Sequence, residues 1–136
     1  SWKFDAIQLP TTMNFPEIAF LSDTTLSDLK ELNPAYTAAV FEGNFSLPGG
    51  SQVRLPSGRK TLFSSRFVQY SSSQVASLMT PPTFHVVSTG ESYADIATRY
   101  GINFQDLRRV NTGDTVEAPS SGKVLLVPTV SSVVQN

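Results

Sequence analysis

The chain has no cysteine among its 136 residues, a single histidine and a single tryptophan. Without thiols there is no disulfide framework, no thiol nucleophile and no thiolate zinc site. Surplus charge is also missing, since 10 basic and 11 acidic residues leave a net charge of -1. That balance offers no electrostatic footprint to nucleic acid or anionic lipid, so neither is expected as a partner. Apolar runs are short, and none reaches the ~18 residues that crossing a bilayer requires, so no membrane insertion by this chain is expected. What remains is a hydrophobic content of 40%, enough for one ordinary domain or two small ones. The opening SWKFDAIQLP reads as the cut end of a longer protein.

Residues 14–33, NFPEIAFLSDTTLSDLKELN, align without a gap on residues 92–111, SYADIATRYGINFQDLRRVN, at an offset of 78. Phe15 falls on Tyr93, Ile18-Ala19 on Ile96-Ala97, Leu26 on Phe104, Leu29 on Leu107, Leu32 on Val110 and Asn33 on Asn111. An apolar strand precedes each stretch (FDAIQLP, TFHVV), and one ending in proline follows each (QVRLP, KVLLVP). The first copy carries about six more residues before its last strand. Agreement at every buried-looking position marks an internal repeat, each copy reading strand, helix, helix, strand.

Local signals support the helices. Ser92 with Asp95 three residues on reads as a capping box, and Gly101 sits where a left-handed C-terminal cap belongs. Asn103 reads as the cap of the next helix. In the first copy Asn14 and Glu17 form the box, and Pro16 lies in the first turn, where its missing N–H costs nothing. Asp23 takes the place of the glycine. Between the copies, Leu62, Phe63, Phe67 and Tyr70 fall on one helical face, so residues 59–82 are expected to be a partly helical linker that folds in part onto the first copy. That segment carries Arg59, Lys60 and Arg66, whereas residues 1–58 are acidic, so pairing between them is expected. The expected division is 1–58, a linker at 59–82, and 83–130.

The second copy, FHVVSTGESYADIATRYGINFQDLRRVN followed by GKVLLVP, resembles the LysM domain over residues 83–128. The first is similar to a divergent LysM unit that keeps EIA, LSDLKELNP and VRLP and has PTTMNF in place of the Gly-Asp-Thr turn. The order of the two is similar to the C-terminal part of membrane-bound lytic murein transglycosylase D-like proteins. The resemblance implies an α+β fold of two small βααβ units, each with a two-stranded antiparallel sheet and two helices on one face. It implies a monomeric, non-catalytic module of the bacterial cell envelope, in the periplasm, that binds N-acetylglucosamine-containing glycan such as peptidoglycan. The parent enzyme's catalytic domain would lie outside this chain.

Carried onto this sequence, the resemblance implies a shallow groove with two walls. One is Ser88, Thr89, Gly90, Glu91 and Ser92. The other is Asn111, Thr112, Gly113, Asp114, Thr115 and Val116. Glu91 departs from the family's aspartate and is longer by one methylene. Such a groove suits a neutral sugar, which needs fixed hydrogen-bond partners and a small apolar contact. Exposed hydrogen bonds net only ~0.5–1.5 kcal/mol each, so affinity on the order of 10 µM to 1 mM is expected.

Other chemistry finds little support. Glu17, Glu31 and Glu42 carry no recognisable second carboxylate for glycoside cleavage, and Glu17 reads as a capping residue. His85 reads as a surface or cross-strand residue, and Trp2 as core or a disordered end. Asp95, Asp114 and Glu117 fit no cation loop, so no metal and no cofactor are expected. A module that docks an envelope protein through the same fold is the alternative reading. The expected core of the second copy is Phe84, Val86, Ile96, Ala97, Ile102, Leu107, Val110, Leu125 and Val127.

Overall fold

The computed structural model describes residues 3–43, 45–74, 82–111 and 118–128. The chain divides into two compact units, residues 1–79 and 80–136. The first contains β1 (Phe4–Gln8), α1 (Phe15–Ser22), α2 (Leu26–Leu32), α3 (Ala38–Phe41), β2 (Gln52–Pro56) and α4 (Arg59–Gln74). The second contains β3 (Thr83–Val86), α5 (Tyr93–Tyr100), α6 (Phe104–Asn111) and β4 (Val124–Val127). Each has one antiparallel two-stranded sheet, β1 with β2 and β3 with β4, as the α+β expectation requires.

The repeat extends to single hydrogen bonds. The Leu9 amide donates to Ser51 O at 2.9 Å, and the Val87 amide to Lys123 O at 2.9 Å. Gly50 donates back to Leu9 O and Gly122 to Val87 O, both glycines at positive φ, +88° and +87°. Positions before the helices therefore correspond at an offset of 78, and those of the closing turn and strand at 72, which accounts for the six extra residues. Both capping boxes form, Asn14 with Glu17 and Ser92 with Asp95. Asp23 and Gly101 both end their helices in the left-handed region, at φ 52° and 66°. Asn103 accepts from the amides of Gln105 and Asp106 at 2.8 and 3.1 Å.

One clamp is common to both units. The buried Asn111 amide donates to Leu107 O at 2.7 Å and Leu126 O at 2.8 Å, and its Oδ1 accepts from Leu126 N at 2.7 Å. Asn33 makes the same bonds to Leu29 and Arg54. A primary amide is the shortest group able to finish a helix and pair both backbone groups of a strand residue at once.

Residues 59–74, expected as part of a linker, are one helix packed on α1, so the first compact unit runs well past the expected boundary at 58. Asp5 Oδ2 starts α4 by accepting from the amides of Gly58 and Lys60, both at 2.9 Å. Arg59 Nη1 donates to Ser22 O at 3.0 Å and Asp23 O at 2.7 Å, and Arg66 Nη1 donates to Phe20 O at 2.9 Å. The expected charge pairing thus takes a specific form. The guanidiniums serve the carbonyls at the negative end of α1, and the Asp23 carboxylate stands 3.8 Å from Arg59. Further along, the Tyr70 hydroxyl donates to Glu17 Oε2 at 3.0 Å. Burial, reinforced by that carboxylate, pushes the hydroxyl above its ordinary range. The remainder of the expected linker, residues 75–81, lies outside the described residues.

The core of the second unit is Val87, Tyr93, Ile96, Ala97, Leu107 and Leu125, with Tyr100 and Ile102 against it. Two expected members are corrected: Val86 is 44% exposed and Val110 37%. The strand alternates, and its buried positions are His85 and Val87. Among the described residues no helix is long and apolar enough to cross a membrane.

Candidate functional site

The first expected wall is one short loop between β3 and α5. Ser88, Thr89 and Gly90 are exposed, while Glu91 and Ser92 are half-buried. Gly90 has φ +86°, and a Cβ built there would meet nothing within 4 Å, so the turn needs a residue free to adopt that conformation while its surroundings stay open. Ser92 is engaged in the capping box, with Oγ accepting from the Asp95 amide at 3.1 Å. Thr89 Oγ1 lies 3.2 Å from Ser121 Oγ on the turn that leads into β4.

Glu91 turns inward. Its Oε1 accepts from the Ser88 amide and lies against His85 Nε2, both at 2.8 Å. His85 Nδ1 is 2.9 Å from the Tyr100 hydroxyl at the end of α5. His85 is therefore a buried link between loop and helix, opposite Leu125 on β4; of the two expectations, surface or cross-strand, the first is corrected. The Ser88 amide, with help from His85 and the charge of Arg99, holds the Glu91 carboxyl below its ordinary value of 4.5. A carboxyl with a lowered value adds stability above 4.5, and that contribution is lost as pH falls through the value in the folded state. Glu91→Gln is expected to cost about 1 kcal/mol at pH 7, because the bonds to a charged acceptor become bonds to a neutral one. Denaturation followed by circular dichroism from pH 7 to 3 checks this: the gap between wild type and variant should close in acid, and a constant gap refutes the assignment.

The first unit treats the same positions differently. Pro10, Thr11, Thr12 and Met13 correspond to Ser88, Thr89, Gly90 and Glu91. Met13 pairs with Leu47, its amide donating to Leu47 O at 3.1 Å and its carbonyl accepting from Leu47 N at 2.8 Å. A Cβ on Gly49 would stand 3.2 Å from the Thr11 backbone, so the two walls touch. Behind them Phe41 of α3 stacks on Phe15 at 4.1 Å, with Tyr36 edge-on at 5.5 Å. The backbone bridge thus closes the first unit's groove at Met13 and Leu47.

At the offset of 72, Leu47 becomes Pro119 and Gly49 becomes Ser121. Proline has no N–H to give, so half of the closing bridge cannot form. Serine needs room where the first unit has none. Among the described residues the second unit has no counterpart of the Met13–Leu47 bridge.

Of the second expected wall, Asn111 is described and its side chain is spent in the clamp. Thr112, Gly113, Asp114, Thr115 and Val116 lie outside the described residues, as do Glu117 and Trp2. Sequence reasoning missed His85, Tyr100, Pro119 and Ser121. Among the described residues no three His, Asp or Glu side chains gather as a metal site would require.

Comparison with known families gives two matches. The family described as "Lytic transglycosylase MltD, LysM-like domain" matches residues 3–71, and that described as "LysM domain" matches residues 85–128. No curated protein matches the chain. The first match spans both strands of the first unit and most of α4, so that helix lies within the MltD-type domain. LysM domains are generally carbohydrate- and peptidoglycan-binding modules, and the MltD type points to a role at the cell wall, outside the cytoplasm. Both matches are to LysM-type domains and neither is to a catalytic one. The chain belongs to the LysM family, with an MltD-type LysM-like domain followed by a LysM domain.

Proposed function

We propose that the second unit binds N-acetylglucosamine-containing glycan, the sugar polymer of peptidoglycan, beside the loop Ser88–Thr89–Gly90–Glu91–Ser92. On this reading the chain is a monomeric, non-catalytic periplasmic module that holds a wall enzyme such as a lytic transglycosylase on its substrate. The observation that carries the proposal is the contrast between two copies of one backbone. In the first copy the walls are bridged through the backbones of Met13 and Leu47, and in the second Pro119 has no N–H to give to that bridge, while the hydroxyls of Thr89 and Ser121 meet at 3.2 Å. The first unit then acts as a folded platform, its groove given over to packing.

Binding by a few exposed hydrogen bonds and one small apolar contact predicts weak affinity, on the order of 10 µM to 1 mM for short oligomers. Titration of N-acetylglucosamine oligomers into 15N-labelled protein tests this. Amide shifts are expected at residues 88–92, and none at 10–13 or 47–49. Silence at millimolar sugar would overturn the proposal, and a specific envelope protein captured by the same chain would replace it with protein docking.

A further inference from the structure

The two units share a backbone, so their differences read as an internal experiment. Three positions change character together. Ile7 becomes His85, Met13 becomes Glu91 and Ser22 becomes Tyr100. In the first unit these are two buried apolar side chains and a serine whose hydroxyl donates to Ile18 O within its own helix at 2.6 Å. In the second unit all three join one chain, Tyr100 to His85 at 2.9 Å and His85 to Glu91 at 2.8 Å. The loop residue that reaches forward across the groove in the first unit is drawn backward onto the strand in the second.

We infer that His85, backed by Tyr100, is a positioning residue for the glycan site: it holds Glu91 against β3 and so keeps residue 91 from the backbone bridge that Met13 makes and the loop 88–92 in a fixed shape. The inference rests on the reading of the second unit as the glycan binder. His85 touches no sugar in this account. It acts through Glu91, whose Oε1 also accepts from the Ser88 amide and so fixes the turn across Thr89 and Gly90. Among the described residues the groups against His85 are Tyr100 from α5, Glu91 from the loop, and apolar Leu125 opposite it on β4, while the charge of Arg99 acts on Glu91. The imidazole can keep both contacts in either protonation state. Neutral, it donates through Nε2 to Glu91 and accepts at Nδ1 from the tyrosine hydroxyl; protonated, it donates through both nitrogens and the hydroxyl accepts.

The test uses the full chain and a chitopentaose probe. His85→Ile installs the residue of the first unit, and the pentamer Kd is expected to rise about tenfold or more, since a loop that must be ordered on binding costs affinity. His85→Gln places an amide N–H near the position of Nε2 and should recover most of that loss, which a merely space-filling role for His85 would not produce. Glu91→Met with Pro119→Leu supplies both halves of the missing bridge. In that double variant the amides of residues 91 and 119 should become protected from hydrogen exchange while pentamer binding is lost and the protein stays folded. Isoleucine binding as tightly as wild type, glutamine no better than isoleucine, or a folded double variant with both amides unprotected would each overturn the inference. If wild type itself ignores the pentamer, the glycan reading fails alone, and the exchange rates of the loop amides in His85→Ile still decide whether the tether exists.

Discussion

Replacing Asn111 with alanine is expected to remove about 3 kcal/mol from the second unit. The side chain makes three bonds shorter than 3 Å, two donated and one accepted, and it is buried. Truncation leaves the amide and the carbonyl of Leu126 without their partner at a place where water reaches poorly. Each group abandoned in this way costs about 1–3 kcal/mol. A unit of this size holds on the order of 3–8 kcal/mol in total, so the loss takes most of its stability. Asn111→Asp sharpens the test because it preserves size. At neutral pH its carboxylate would face the carbonyls of Leu107 and Leu126, two acceptors against a third. In acid the protonated carboxyl regains a donor, so part of the stability should return. Urea denaturation at pH 7 and pH 4, read from the amide signals of residues 82–128, checks both variants. An alanine variant within a few tenths of a kcal/mol of wild type would show that the clamp is decorative.

Ile96→Ala is expected to cost ~2–4 kcal/mol, through lost burial and the cavity left behind. Ile96 is fully buried among Val87, Tyr93, Leu107 and Leu125. The described core has one layer of side chains between two short helices and two short strands, so no second layer is available to close the hole. Ile18 holds the same place in the first unit, where α4 adds an outer layer against α1. Ile18→Ala should therefore be felt at least as strongly per atom removed, but against a larger reserve. Thermal melting of Ile96→Ala at the wild-type temperature would contradict this account.

Much of the architecture was legible in the sequence because its signals are local. Capping boxes, a glycine after a helix and a proline in a first turn depend on neighbours three or four residues away, and all of them form. The helix over residues 59–74 was visible as an apolar face, but not its destination. That is set by Arg59 and Arg66 finding the end of α1, dozens of residues away. The candidate site was legible in one wall and misread in its support. Placing Val86 in the core inverted the parity of β3 and turned His85 outward on paper, because the gapless alignment began only at residue 14 and did not reach the strand, where the structure makes His85 the counterpart of the buried Ile7. Nor did Met13 and Leu47 announce themselves. Two apolar residues 34 positions apart look like core wherever they stand, and only their backbone bridge shows that they close a groove.

That closure has a consequence for timing. If only the second groove takes sugar, as proposed, the chain is monovalent despite its two copies. The effective-concentration gain of paired sites is then unavailable from within this chain. A single contact with a Kd of about 100 µM and an ordinary association rate near 10⁶ M⁻¹s⁻¹ lets go on the order of a hundred times per second. An enzyme held this way is not fixed to one spot on the wall. Under the proposed function it would release and rebind on a scale of about ten milliseconds, and a wall enzyme carried by the chain could advance along its polymer.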